Sequence, residues 1–347
     1  MMGGQKATAS DGALIVQSSG DTIVNVSNVD MRAVIEAMAD QLPKFAAVAS
    51  EIVEKRLSAF EEKIIKRFEQ SETSSIQAFA DPDFQYLLGR AQHAYARSGD
   101  ELTADVLTDL IAHRSIQTER TRLTLSLNDA VERSAYLTPN EFAELSLAFL
   151  LRYTKRTDIT NFEKLVIYLR DNAGRIVPEV SRSESSYNYI AAQSCGSIQI
   201  TRASLMDILT KSYGGVLSLG TDRERFAETL GDDFPKLYPD VVGPCLHDQS
   251  KLQAMAIDKS SLESFLKQRG LEGKTGQIWD LHSQSFMQEQ QFIEKALPLY
   301  PEVRELFAVW NDTQMHRLTL TSVGQAIGFA NLKRLCGVEA DLGIWID

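Results

Sequence analysis

The chain has few of the residues that usually announce chemistry. Its three cysteines, Cys195, Cys245 and Cys336, are far apart and odd in number, which argues against a disulfide framework and agrees with a reducing compartment. No Cys-x-x-Cys occurs, and the five histidines are scattered. Neither Cys245-Leu246-His247-Asp248 nor Asp280-Leu281-His282 offers two donors at an i, i+4 helical spacing, and His93 and His113 read as surface or boundary residues of amphipathic helices. We therefore expect no metal and no cofactor. No run approaches the roughly 18 apolar residues a membrane-spanning helix needs. The opening "MMGGQKATASDG" has no apolar core and one basic residue, which predicts a cytoplasmic protein without a leader. Positive charge is also short: 36 Lys and Arg face 47 Asp and Glu, and the net charge of -11 disfavours phosphate backbones and anionic lipid surfaces.

What is present describes architecture. A length of 347 residues, 44% hydrophobic and 24% charged, is that of a globular chain able to build two or three structural units. Residues 12–29 are β-branched and punctuated by a Gly-Asp turn. In "TIVNVSNV", Val24 and Val26 alternate with Ile23 and Asn25 as in a strand. Such a pair is marginal alone, and no neighbouring sheet is evident, so residues 1–30 are expected to pair with another copy of the chain. From Met31 the rhythm becomes helical. Met38, Leu42, Phe45, Ala49 and Ile52 follow the a/d spacing of a coiled-coil seam, and Val53, Leu57, Phe60, Ile64 and Phe68 continue it on a neighbouring stripe, with Pro43 as a candidate kink.

A helical domain is expected over residues 80–175. Asp81-Pro82 and Thr138-Pro139 read as an N-cap followed by proline at the first helical position. Helices are expected over 82–97, 101–114, 120–134, 139–154 and 162–172, with the apolar "FAELSLAFLLRY" as the buried central one. "AGRIVPEVSRSES" marks the boundary to a mixed α+β unit, 176–347, in which we expect helices over 201–212, 252–266 and 278–297. In its last segment "RLTLT" is a short strand, Thr321 caps a helix that Gly337 ends, and "LGIWI" is a terminal strand. The fold class is thus mainly α: a short N-terminal β segment, a long coiled-coil-like helix over 31–70, a helical middle domain and an α+β C-terminal unit.

Motif matching yields coincidences. "GLEGKTG" ends like a phosphate-binding loop, but the first glycine that loop requires falls at Gln268, and a helix precedes it where a strand should be. Ser264 with Lys267, Ser186 with Asn188, and Lys274-Thr275-Gly276 match the three strings of penicillin-recognising enzymes in the wrong order. A locally basic, tyrosine-rich stretch over 152–189 remains. Arg152, Lys155, Arg156, Arg170 and Arg175, with Lys164 and Arg182 beside them, could grip a nucleotide or a nucleic acid through phosphate contacts and stacking. The same residues could equally form a solvated face balanced by Asp158, Glu163, Asp171 and Glu179. The C-terminal strand and helix also look like the ending of a winged-helix domain.

The N-terminal Gly-Asp-punctuated strands, "DPDFQYLLGRAQHAYARSGDE", "LSLAFLLRYT" and "RLTLTSVGQAIGFANLKRLCGV" together resemble the LPO/Vpar-type family of uncharacterised bacterial proteins over nearly the whole chain. The resemblance implies a β-rich start, a connecting helix and a helical middle. It carries over no catalytic residue and suggests a setting in anti-phage defence. We expect a non-enzymatic homo-oligomer, a scaffold or sensor of another protein, assembled through Ile23, Val24, Val26, Met38, Leu42, Phe45, Ile52, Leu57, Phe60 and Ile64. The alternatives are a nucleic-acid or nucleotide binder using the basic stretch, and an enzyme whose site is dispersed in sequence.

Overall fold

The computed structural model describes residues 31–71 and 73–346. The expected β segment with Ile23, Val24 and Val26 lies outside them, as does the side chain of Met38. The described residues are mainly helical, and the chain divides into two units, residues 1–55 and 56–347.

The first unit is described as the N-terminal part of α1 (Met31–Gln70), which includes Pro43 as a single helix. Its apolar residues stay in solvent: Leu42 is 59%, Phe45 65%, Val48 56% and Ile52 44% exposed.

The second unit starts with the rest of α1, and the apolar pattern here meets a different fate. Phe60 and Ile64 are buried, Leu57 is half-buried, and the Phe60 ring lies 5.4 Å from that of Tyr95. The C-terminal part of the expected intersubunit seam is therefore corrected: Phe60 and Ile64 fill this chain's own core and cannot also line an interface. Next come α2 (Pro82–Ser98), α3 (Glu101–Ser115) and α4 (Arg122–Ser134). Their ends are set by local chemistry. The Asp81 carboxylate accepts from the Asp83 amide (3.0 Å), that of Asp100 accepts from Thr103 (2.8 Å), and Gly99 closes α2 in the left-handed region.

Helix α5 (Pro139–Tyr153) is the central one. Every residue from Glu141 to Leu151 is buried, so it must be covered on all sides. Much of the cover comes from α15 (Ser322–Cys336), near the other end of the sequence. A Cβ on Gly328 would stand 2.6 Å from the Leu145 carbonyl oxygen of α5, so that approach requires glycine, and one on Gly324 only 1.8 Å from the carbonyl oxygen of Cys195, just before β1, so the helix is held close there as well. Asn331 donates to the Phe142 carbonyl (3.2 Å) and the Ser146 hydroxyl (2.8 Å), and the Trp345 indole donates to the Tyr153 carbonyl (2.6 Å).

The intervening elements are α6 (Phe162–Ile176), α7 (Glu184–Ala192), β1 (Gly196–Ile198), α8 (Leu205–Leu217), α9 (Arg223–Leu230), α10 (Phe234–Leu237), β2 (Val242–Pro244), β3 (Leu252–Ala254), α11 (Lys259–Lys267), α12 (Thr275–Ser283), α13 (Glu289–Ala296), α14 (Val303–Asp312) and β4 (Leu318–Leu320). Strands β1 and β4 pair antiparallel with Gly196 opposite Leu320, and β2 and β3 with Val242 opposite Ala254. One apolar core runs from Phe60 to Ile346, and a smaller cluster joins Phe226, Phe234, Val242, Leu262 and Ile278.

Several expectations change. The boundary at 175/176 is absent, because residues on both sides share the core around α5. The helix expected over 252–266 begins only at Lys259, since Leu252–Ala254 pairs with β2 and the Asp258 carboxylate caps α11 by accepting from the Ser261 amide (2.8 Å). The helix expected over 278–297 is broken, because Ser285 and Met287 bond the backbone of Leu219 and Leu217. "LGIWI" forms a 3₁₀ turn, Leu342–Ile344, that seats Trp345 on Phe149 with ring centroids 5.0 Å apart.

Candidate functional site

The five basic residues expected to bind a ligand are each engaged by the chain itself. Arg152, half-buried on α5, sits 4.8 Å over the Trp310 ring and donates to the Met315 carbonyl (3.1 Å), and burial pushes its guanidinium below its ordinary range. Lys155 pairs with Asp258, Arg156 forks onto Asp158 (2.8 and 2.5 Å), and Arg170 bonds Asp171 (2.8 Å) and the Leu299 carbonyl (3.3 Å). Arg175 donates to the Leu335 carbonyl (3.1 Å), and Arg182 pairs with Glu305. The structure does not bring the five into one site. Tyr187 is buried with its hydroxyl 2.9 Å from that of Thr313, Tyr168 is half-buried with the Arg156 guanidinium 5.9 Å over its ring, and Tyr189 is exposed.

A different set of charges converges where α1, α3 and α15 meet in the second unit. Lys63 and Arg67 are one turn apart on α1, and Asp105 and Asp109 are one turn apart on α3, so they meet as two rungs. Lys63 bonds Asp105 (2.6 Å) and Glu101 (3.0 Å), while Arg67 places Nε and Nη2 on one Asp109 oxygen (3.1 and 2.7 Å). Lys333 of α15 reaches the same oxygen at 3.8 Å and Glu339 at 2.5 Å. Asp109 is 6% exposed, and its second oxygen lies 3.5 Å from His113 Nε2, with neither atom hydrogen-bonded. Burial pushes the His113 imidazole below its ordinary value, so at neutral pH the positive charge here belongs to lysine and arginine. Two cavities open on this cluster, about 670 and 350 Å³, and share Arg67, Gln70 and Lys333. Both volumes fall in the range of small-molecule sites.

The sequence reading missed these residues. The i, i+4 spacing of Lys63 with Arg67 and of Asp105 with Asp109 is visible, but it gains meaning only once α1 is known to lie against α3.

The most perturbed carboxyl is elsewhere. Glu144 on α5 is 0% exposed, and burial pushes it up to about 8. The Ser186 hydroxyl lies 2.7 Å from Glu141 and 2.9 Å from Glu144. The hydroxyl bridges the two carboxyl groups, and Glu141 also accepts the Thr138 amide (2.8 Å), which ties α7 to the start of α5. Ser186 is thus a structural bridge within the core, while Ser264 and Lys274 lie on separate elements, and no shared site results. Likewise His247 has Nε2 on the Val216 carbonyl (2.7 Å) and Nδ1 against Lys295 (2.7 Å), which occupies both ring nitrogens. Among the described residues no group of three or more metal-donor side chains assembles, and no helix is long and apolar enough to cross a membrane.

No curated protein and no solved structure matches the chain. A family model matches residues 26–346, nearly its whole length, and the family has no characterised activity. The chain therefore belongs to this uncharacterised family, in agreement with its sequence resemblance to the LPO/Vpar type.

Proposed function

We propose that the protein is a homo-oligomeric scaffold or sensor that assembles through the N-terminal half of α1. The observation that carries this reading is the apolar stripe Leu42, Phe45, Val48 and Ile52, which lies in solvent along one helix. Full burial of such a side chain contributes about 1.5–3 kcal/mol, so a stripe of four repeated in each copy supplies a driving force for self-association. Spacings of three and four residues fit a helical partner, and a second copy presents the same stripe. Recognition of another protein and the anti-phage setting belong to the same proposal, and the setting rests on the family resemblance. The nucleic-acid alternative draws little support from Arg152, Lys155, Arg156, Arg170 and Arg175, each of which already has an acceptor.

Light scattering coupled to size exclusion tests the assembly. At micromolar concentration the protein should elute as a multimer, and a variant carrying Phe45→Asp and Ile52→Asp should elute as a monomer with unchanged helical content. A monomeric parent protein would sink the proposal. Point changes are the suitable probe, because a truncation through residue 70 would remove Phe60 and Ile64 from the core.

A further inference from the structure

We infer that the groove between α1, α3 and α15 binds the phosphate group of a phosphorylated small molecule, with Lys66, Arg67, Lys333 and Arg334 as its recognising cations. The smaller cavity is lined, among the described residues, by five cations and two carboxylates, Lys63, Lys66, Arg67, Lys333 and Arg334 against Asp105 and Asp109. That excess stands out on a chain whose net charge is -11. The C-terminal ends of α1 and α15 each bring roughly half a negative charge to this region, and Glu101 and Glu339 offset Lys63 and Lys333, so the positive charge open to an anion is concentrated on Lys66 and Arg334. Lys66 and Arg334 are exposed and have no acidic partner among the described residues, so their charge is available to a ligand.

The buried carboxylate organises the floor. Asp109 holds Arg67 by its Nε and Nη2 edge, which leaves Nη1 free to point elsewhere, and it keeps Lys333 within 3.8 Å. A guanidinium fixed in this way loses little freedom on meeting a phosphate, and arginine with lysine around a concavity is the donor set that phosphate oxygens select. Asp109 is thus a positioning residue. The larger cavity, which shares Arg67 and Lys333, adds Ser71, Thr73 and His113 as hydrogen-bonding groups and Ile116 as an apolar wall, room for the uncharged part of the molecule. Glu339 is an internal competitor, an exposed carboxylate that holds Lys333 at 2.5 Å.

Inorganic pyrophosphate is the probe, titrated calorimetrically into the full-length protein at low ionic strength, with adenosine monophosphate as a second arm. Saturable binding of pyrophosphate is expected, weakened at least tenfold by the paired exposed changes Lys66→Ala and Arg334→Ala and strengthened severalfold by Glu339→Gln. Tighter binding of the nucleotide than of pyrophosphate would place its organic part in the larger cavity, whereas equal affinity would restrict the site to the phosphate. Absence of saturable binding at millimolar pyrophosphate, or equal affinity of the parent and the double variant, would overturn the inference. An Asp109→Asn variant that retains its helical content supplies a further readout: a positioning role predicts weaker pyrophosphate binding, and unchanged affinity would remove Asp109 from the site. None of these outcomes depends on the oligomeric state.

Discussion

The two halves of α1 carry the same apolar rhythm and put it to opposite uses. From Leu42 to Ile52 the stripe is exposed, whereas Phe60 and Ile64, spaced in the same way, are sealed in the core of the second unit. Periodicity therefore reports that a face will be covered and says nothing about what covers it. The neighbours of each half decide that: Tyr95 of α2 closes on Phe60, and nothing described closes on Phe45.

The comparison can be broken most directly by Phe60→Ala. Deleting a fully buried aromatic ring costs about 3–5 kcal/mol, so its denaturation midpoint should fall steeply, while Phe45→Ala should leave stability within about 0.5 kcal/mol and change only the elution volume. Equal destabilisation by both would erase the distinction between the halves.

A second, pH-dependent effect separates the core around α5 from the surface. In the unfolded chain Glu144 titrates near about 4.3. In the folded protein it is held at about 8 by burial. The folded state therefore keeps a proton that the unfolded state has lost. The stability associated with that proton is complete below about pH 4.3 and declines by at most about 1.4 kcal/mol per pH unit as pH rises through the folded value. His282, pushed down to about 4 by burial, works in the opposite sense. Its contribution is present above its unfolded value of about 6.5 and lost as pH falls through its folded value. The two slopes offset one another on the acid side. Above about pH 6.5 the Glu144 slope is no longer offset by that of His282, so melting temperature should fall between pH 6.5 and 8, and Glu144→Gln, which removes the titrating carboxyl, should flatten that decline. Thermal melts across this range decide the matter.

The smallest effect is expected from the basic stretch. Arg156→Ala with Arg170→Ala should leave the melting temperature close to that of the parent protein, as for exposed ion pairs in general, and should leave nucleic-acid retention in a filter assay at its background level. Salt-sensitive retention that disappears in this variant would restore the alternative function.

Much of the fold was legible where a single local rule governs. The caps at Asp81 and Thr138, the stop at Gly337 and the all-round apolarity of α5 each announce themselves over a few residues, and the helices they bound appear in place. Legibility failed where a distant segment overrides local propensity. Leu252–Ala254 has the composition of a helix and becomes a strand because Val242–Pro244 is there to pair with it, and "LGIWI" has the composition of a strand and turns because Trp345 has a ring to pack on. The groove was illegible for a similar reason. Lys66, Asp109 and Arg334 come from three parts of the chain, and the signal that did exist, a cluster of cations over 152–182, marks residues that tie the chain to itself.

The cover that α15 provides for α5 also imposes an order in time. Helix α5 ends at Tyr153, and α15 does not begin until Ser322, about 170 residues later. At about 5–20 residues per second a ribosome needs roughly ten to thirty seconds to close that interval, and throughout it the nascent chain carries an apolar helix whose final neighbour has not been made. The distance in sequence between α5 and α15 therefore sets how long the unfinished chain carries that apolar helix uncovered, a vulnerability that belongs to its birth and is absent from its finished form.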